Sequence, residues 1–292
     1  MELSALRAAV HDSSVQLPPA GDAAVASVED RSIDGPGGRL GLRLYTPPGQ
    51  GPFPITVYMH GGGYVVGDLD TQDMIARALC AWGETLVVSV DYRLAPEHPF
   101  PAAPDDCWAA LQWVAAHADS IGGDPKRLAV AGDSAGGNLA AALALRARDA
   151  GGPVLRAMIN LYGSCNYPST ETASAREFAT GPILTRDDVD WFWEQYLEDP
   201  AIDQHDPQAS PVRAASLAGL APAFVGVPEC DPSRDDTLAF GAALAAAGNG
   251  GECKLYPGMV HGFASWVAFL PGALEVLNDA ARFLRSRFAT EG

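Results

Sequence analysis

Positive charge is scarce in this chain: 19 Lys and Arg stand against 36 Asp and Glu, a formal net charge of −17 over 292 residues. Such a chain repels nucleic acid and anionic membranes, so neither is an expected partner. Long apolar runs are missing too, and no stretch approaches the roughly 18 residues a membrane-spanning helix needs. Residues 1–20 carry Glu2, Arg7, His11 and Asp12, which interrupt any apolar core of a secretory signal. The five cysteines, Cys80, Cys107, Cys165, Cys230 and Cys253, make no Cys-x-x-Cys pair and no metal-like cluster. An odd, scattered set suits reduced thiols in a cytoplasm better than a disulfide framework. No internal repeat or low-complexity linker divides the chain, and its length suits one α/β domain.

Two glycine motifs are present instead, His60-Gly61-Gly62-Gly63 and Gly132-Asp133-Ser134-Ala135-Gly136. The second follows the apolar run Leu128-Ala129-Val130-Ala131 and precedes an alanine-rich helical stretch, Asn138 to Arg148. That reads as strand, sharp turn and helix, with a serine at the apex. A serine hydroxyl is a weak nucleophile, so it must stand clear of the backbone beside a base and near donors for a developing oxyanion. Flanking glycines permit the turn, because larger side chains would strike the adjoining strand and helix. At this content of glycine and serine, chance yields a Gly-x-Ser-x-Gly about 0.2 times and His-Gly-Gly-Gly well under about 0.01 times. The glycine run is therefore the stronger signal. It follows the strand pattern Ile55 to Met59, and glycines there let a substrate approach bare backbone N–H groups.

The order expected after such a serine is acid, then histidine. Only His205 and His261 follow Ser134. His205 lies in a polar, proline-punctuated stretch. His261 follows the short strand and turn Cys253 to Gly258, so its loop can present an imidazole at a sheet edge, and it is the expected base. For the acid, the apolar strand Ala223 to Val227 is followed by Glu229 and Asp231. The Asp231-Pro232 turn aims a carboxylate off the strand; Glu229 is its rival, and Asp235 and Asp236 suit the first turn of the next helix. His60 and Asp133 read as structural, and Arg93 and Glu97 as braces for the loop near the glycines.

Strands are expected at 25–33, 40–46, 54–59, 85–91, 127–132, 155–161, 222–228 and 252–257, with helices at 70–82, 103–120, 135–150, 235–247 and 272–288. In the last, Leu274, Leu277, Ala281, Leu284 and Phe288 follow the spacing of one buried face. The fold class is α/β: a mostly parallel eight-stranded sheet covered by helices on both sides, with an antiparallel hairpin at one edge. Residues 1–24 and 163–212 break the alternation and are expected to form a helical cap over the site. The second segment holds a helical stretch, Arg186 to Leu197, with Trp191, Phe192, Trp193 and Tyr196. Trp191 and Phe192, with Tyr64 beside the glycine run, are the candidate substrate contacts.

His60-Gly61-Gly62-Gly63, Asp91 to Glu97, Gly132 to Gly136, Asp231 to Asp235 and His261-Gly262-Phe263 together resemble the bacterial hormone-sensitive-lipase family of esterases, in its Gly-Asp-Ser-Ala-Gly branch. The likeness runs from about Val28 to the C-terminus. It implies an α/β-hydrolase with Ser134 as nucleophile, Asp231 as acid and His261 as base, and oxyanion donors from the backbone N–H groups of Gly62, Gly63 and Ala135. Ser233 stands where the family usually has leucine, and Asp236 where it has glutamate. The expected activity is a cofactor-free and metal-free serine carboxylesterase, acting on a small-molecule ester of short to medium acyl chain. An amidase, lactonase or acyltransferase with the same triad, or a non-catalytic ligand-binding relative, are the alternatives. A homodimer through the edge strand near Glu252 to Pro257 is also expected.

Overall fold

Alternation along the strands separates two apolar layers. In β3 (Phe53–Met59) the side chains of Ile55, Val57 and Met59 enter one core while Tyr58 enters the other, all without solvent exposure. β4 (Leu86–Asp91) divides the same way, Leu86, Val88 and Val90 against Val87, and β5 (Gly123–Asp133) sends Leu128 and Val130 one way, Ala129 and Ala131 the other. A strand buried on both faces needs helices above and below.

The computed structural model describes residues 2–168 and 172–289. Among these, β1 (Ser27–Gly35), β2 (Gly38–Thr46), the three strands above, β6 (Leu155–Leu161), β7 (Ala223–Cys230) and β8 (Gly251–Val260) form one sheet in the order β1-β2-β4-β3-β5-β6-β7-β8. β1 and β2 are an antiparallel hairpin and β2 pairs antiparallel with β4; the remaining pairs are parallel. All eight expected strands are present, with shifted ends. β5 begins earlier than expected, because Gly123 pairs with Phe53 ahead of the apolar run, and β8 runs on to Val260 through its pairing with Cys230.

The helices, in chain order, are α1 (Leu3–Ser14), α2 (Asp73–Gly83), α3 (Ala102–His117), α4 (Ala135–Asp149), α5 (Ala173–Glu177), α6 (Arg186–Tyr196), α7 (Pro200–Asp203), α8 (Arg234–Ala246) and α9 (Pro271–Phe288). α3, α4 and α8 contribute to one core, and α2 and α9 to the other. On α9 the buried stripe is Ala273, Val276, Leu277, Ala280, Ala281, Phe283, Leu284 and Phe288. Leu274 is not part of it and stays 40% exposed, because Ala273 takes the inward place in the first turn. Each fully buried leucine or phenylalanine contributes about 1.5–3 kcal/mol of transfer free energy.

Between β6 and β7 lie α5, α6 and α7. Residues 169–171 of the expected cap segment, Met1 at its other part, and residues 290–292 lie outside the described residues. α6 starts at a reciprocal cap: Thr185 Oγ1 accepts from the Asp188 N–H at 3.1 Å, and the Asp188 carboxylate accepts from the Thr185 N–H at 2.9 Å. Val189, Trp193 and Tyr196, at helical spacing, turn inward. The Phe100 N–H donates to Tyr196 O at 2.7 Å and fixes the far end of α6 to the body. α5 is tied to the turn after β7, where Ser174 Oγ donates to Pro232 O at 2.9 Å and its N–H to the Asp235 carboxylate at 2.8 Å.

Candidate active site

β5 ends at Asp133 and is followed by Ser134, whose φ of 53° and ψ of −122° are strained for a residue with a side chain. Two glycines make this turn possible. A Cβ on Gly132 would lie 2.1 Å from Gly136 O, and one on Gly136 would lie 2.0 Å from Met59 O. The Ser134 N–H donates to Leu161 O at 2.8 Å, and Ser134 O accepts from the Gly137 N–H at 2.9 Å. The apex is thereby held between β6 and α4 with its hydroxyl outward.

Ser134 Oγ lies 2.7 Å from His261 Nε2, and His261 Nδ1 lies 2.7 Å from Asp231 Oδ2. Asp231 is fully buried, and its Oδ1 accepts from the Ser233 N–H at 2.7 Å. The Glu229 carboxylate accepts from the Gly258 N–H and Asp235 and Asp236 sit in the first turn of α8, so Asp231 is the acid brought to the histidine. His205 is elsewhere, with Nδ1 at 2.7 Å from Arg213 Nη1. Burial pulls the pKa of His261 down, but the charge and hydrogen bond of Asp231 outweigh it and the net shift is upward. Behind the imidazole stands Tyr162, edge-on with ring centres 5.2 Å apart.

The glycine run sits opposite. Gly62 has φ 124° and Gly63 φ 59°, and the Val65 and Val66 N–H groups both donate to Gly62 O, closing a tight turn. A Cβ on Gly62 would lie 2.0 Å from Val66 O. The N–H groups of Gly62, Gly63 and Ala135 have no acceptor among the described residues, and all three residues line the cavity that holds Ser134. Asp133 joins the run to the serine turn: its Oδ1 accepts from Tyr58 Oη at 2.6 Å and from the Gly61 N–H at 2.9 Å. Burial raises its pKa to about 6, opposed by those two donors. His60, fully buried, stacks on Tyr92 with ring centres 4.2 Å apart, and its Nδ1 lies 2.8 Å from Gly61 O. Burial lowers its pKa to about 4, so it is neutral and Nδ1–H donates.

Of the two expected braces, Arg93 acts elsewhere and Glu97 acts only through Arg7. Arg93 makes a two-pronged pair with the buried Asp106, at 2.8 and 2.9 Å, and Glu97 pairs with Arg7 of α1 at 2.7 Å. The glycine loop is held by Tyr92, whose hydroxyl donates to His60 O at 2.7 Å, and by Arg7, whose guanidinium donates to Val65 O at 2.8 Å while Glu97 pairs with it.

The cavity over Ser134 has a volume of about 210 Å³. Tyr64 lines it, stacked on Tyr196 at 3.7 Å, and so does Phe192, packed so tightly on Gly63 that a Cβ there would lie 2.2 Å from its ring. Trp191 does not line it. One position before Phe192, it is rotated about 100° around the helix and remains 36% exposed. Trp193 takes the place expected of it. Leu184, Gln72 and Ser265 also line the cavity with neither motif nor periodic signal to mark them, and Val189 lines it too, marked only by its helical spacing to Trp193 and Tyr196. A donor cluster of His11, Asp68 and Asp70 lies apart from this cavity's lining; His11 is paired with Asp68 and Asp70 with Arg43. No helix among the described residues is long and apolar enough to cross a membrane.

The family described by the alpha/beta hydrolase fold matches residues 56–265, more than half of the chain. Esterase LipI of Mycobacterium tuberculosis is 45% identical over 88% of this chain and 81% of its own length. Ethyl acetate hydrolase of Pseudomonas putida is 38% identical over 82% and 76%. Among solved structures, the hyperthermophilic esterase of Pyrobaculum calidifontis superposes with a TM-score of 0.92 at 38% identity, covering 98% of this chain and 94% of that one. The thermostable carboxylesterase EstE1, cloned from a metagenomic library, gives 0.93 at 38% identity over 99% of both chains.

Proposed function

We propose, from the premise that this chain belongs to the hormone-sensitive-lipase-like branch of the alpha/beta hydrolase fold family, that it cleaves esters through an acyl-enzyme on Ser134. The chain is a carboxylic ester hydrolase. In the proposed mechanism His261 Nε2 takes the Ser134 proton as Oγ attacks the ester carbonyl. The N–H groups of Gly62, Gly63 and Ala135 hold the oxyanion. His261 then gives its proton to the leaving alkoxide, and the alcohol departs. Water, deprotonated by the same imidazole, releases the acid and restores Ser134. Asp231 orients the imidazole and offsets its positive charge. The observation that carries the reading is the unbroken chain Ser134–His261–Asp231, two contacts of 2.7 Å at the floor of a cavity walled by donors without partners.

The cavity's modest volume and its roof of Tyr64, Leu184, Val189, Phe192 and Trp193 support short to medium acyl chains, from about two to eight carbons; each methylene gains about 0.8 kcal/mol only while it meets apolar wall. The described residues of the segments 1–24 and 163–212 form the cap in this reading. A homodimer through β8 is supported by its place at the end of the sheet, paired among the described residues with β7 alone, and by Leu255 at 39% exposure. The five unpaired cysteines favour a reducing cytoplasm. Ser134→Ala, checked for folding by circular dichroism, tests the mechanism: hydrolysis of nitrophenyl butyrate falls by on the order of 10⁴-fold or more. A chain-length series on the native protein tests the substrate range. A kcat/KM that kept rising through twelve and sixteen carbons would contradict it.

A further inference from the structure

We infer, resting on the serine-esterase reading above, that Gln72 and Ser265 form a polar subsite that recognises a hydroxyl or carbonyl oxygen on the alcohol part of the ester. The cavity walls differ in chemistry. The side roofed by Tyr64, Leu184, Val189, Phe192 and Trp193 offers carbon and aromatic surface. Gln72 and Ser265 supply a polar stretch of the same lining, brought together from 193 positions apart, with Ser265 Oγ donating to Gln72 Oε1 at 3.1 Å.

In this arrangement the amide oxygen is turned to Ser265 Oγ and the amide nitrogen away from it. With Oε1 occupied, the amide nitrogen keeps two N–H donors, and no acceptor for them exists among the described residues. Gln72 is half-buried and lines the cavity, so those donors are partly shielded from bulk water. A shielded donor gains most when a bound group brings an oxygen to it, and a purely alkyl group leaves it unmet. The chemistry thus selects an oxygen-bearing substituent over an isosteric hydrocarbon.

The position selects the alcohol side. His261 Nε2 must reach the leaving alkoxide to protonate it, so the alcohol lies along the imidazole. Ser265 belongs to the turn that immediately follows His261, its N–H donating to Gly262 O at 3.1 Å, and Gly262 itself lines the cavity. The polar pair therefore flanks the leaving group, while the roof receives the acyl chain. The ligand class is a short-chain monoester of a small diol, or of an alcohol carrying a carbonyl.

The test compares 2-hydroxyethyl butyrate with propyl butyrate, which differ only by a terminal hydroxyl for a methyl. The expected ratio of kcat/KM in the native protein is about three- to tenfold in favour of the hydroxylated ester, the yield of one net hydrogen bond. In Gln72→Leu the ratio falls to about one or below, and in Ser265→Ala, which frees the amide to turn, it falls part of the way. Should Gln72→Leu fail to fold, Ser265→Ala alone carries the comparison. Equal kcat/KM for the two esters in the native protein, or a preference that survives both substitutions, overturns the subsite. A preference for propyl 3-hydroxybutyrate over propyl butyrate, without one for the hydroxyethyl ester, overturns the alcohol-side placement. A folded protein that cleaves none of these esters overturns the esterase reading itself, a result distinct from either.

Discussion

Gly136→Ala should cost this protein both stability and turnover, because one methyl group would be placed where three segments already meet. The new Cβ would lie 2.0 Å from Met59 O, 2.6 Å from Met59 C and 2.7 Å from His60 O. All are backbone atoms at the end of β3 and the start of the glycine run, so no flexible side chain can swing aside. Carbon and oxygen approach to about 3.3 Å in ordinary contact, so the elbow and the glycine loop must separate by about 1 Å. Overpacking of this kind costs about 3 kcal/mol or more, which in a chain of this size lowers Tm by on the order of 5 °C or more. The same shift carries Gly62 and Gly63 away from Ser134, and a misplacement of about 1 Å costs on the order of 100-fold in rate. Gly122→Ala is the control. Its φ of 75° is unfavourable for alanine, but nothing lies within 4 Å of the new Cβ, so about 1 kcal/mol and unchanged kcat are expected. Thermal unfolding and nitrophenyl butyrate turnover would be measured on both. A Gly136→Ala protein with native Tm and native kcat would refute the steric argument for the elbow.

Other outcomes follow from the same geometry. In the proposed mechanism His261 must be neutral to accept the Ser134 proton. Burial lowers its pKa, but Asp231 holds it above the ordinary imidazole value, so kcat/KM is expected to fall as pH drops, with its midpoint above that of a free imidazole. Asp231→Asn removes the negative charge that does most to raise that pKa against burial, so the acidic limb moves to lower pH while kcat drops; an unmoved limb in a pH–rate profile contradicts this. Arg93→Ala leaves the Asp106 carboxylate, 2% exposed, without its two-pronged partner, and should cost about 2–4 kcal/mol in a denaturant melt, discounted for the partial exposure of Arg93.

Much of this architecture is legible in the sequence because it depends on local order. The strands β3, β4 and the latter half of β5 are dominated by apolar residues, and the elbow is one serine flanked two places away on each side by a glycine, so both declare themselves within a few residues. His261 and Asp231 declare themselves by place, each just beyond a strand. What escapes is what depends on distant partners. Arg93 and Glu97 flank the right loop, yet their charges are claimed by Asp106 and by Arg7. Trp191, Phe192 and Trp193 are consecutive and chemically alike, and only the phase of α6, set by the Thr185–Asp188 cap, decides which faces the cavity. Gln72 and Ser265 meet across 193 positions and belong to no motif.

The central claim, that Ser134 carries the acyl group, is tested most directly by trapping the intermediate. The protein would be mixed with nitrophenyl acetate, quenched in acid within the first turnover, digested, and examined by mass spectrometry. One acetyl group per chain is expected, on the peptide bearing Ser134, with none in Ser134→Ala or after the reaction has run to completion. An acetyl group on another residue during productive turnover, or nitrophenol release at the native rate from Ser134→Ala, would contradict it.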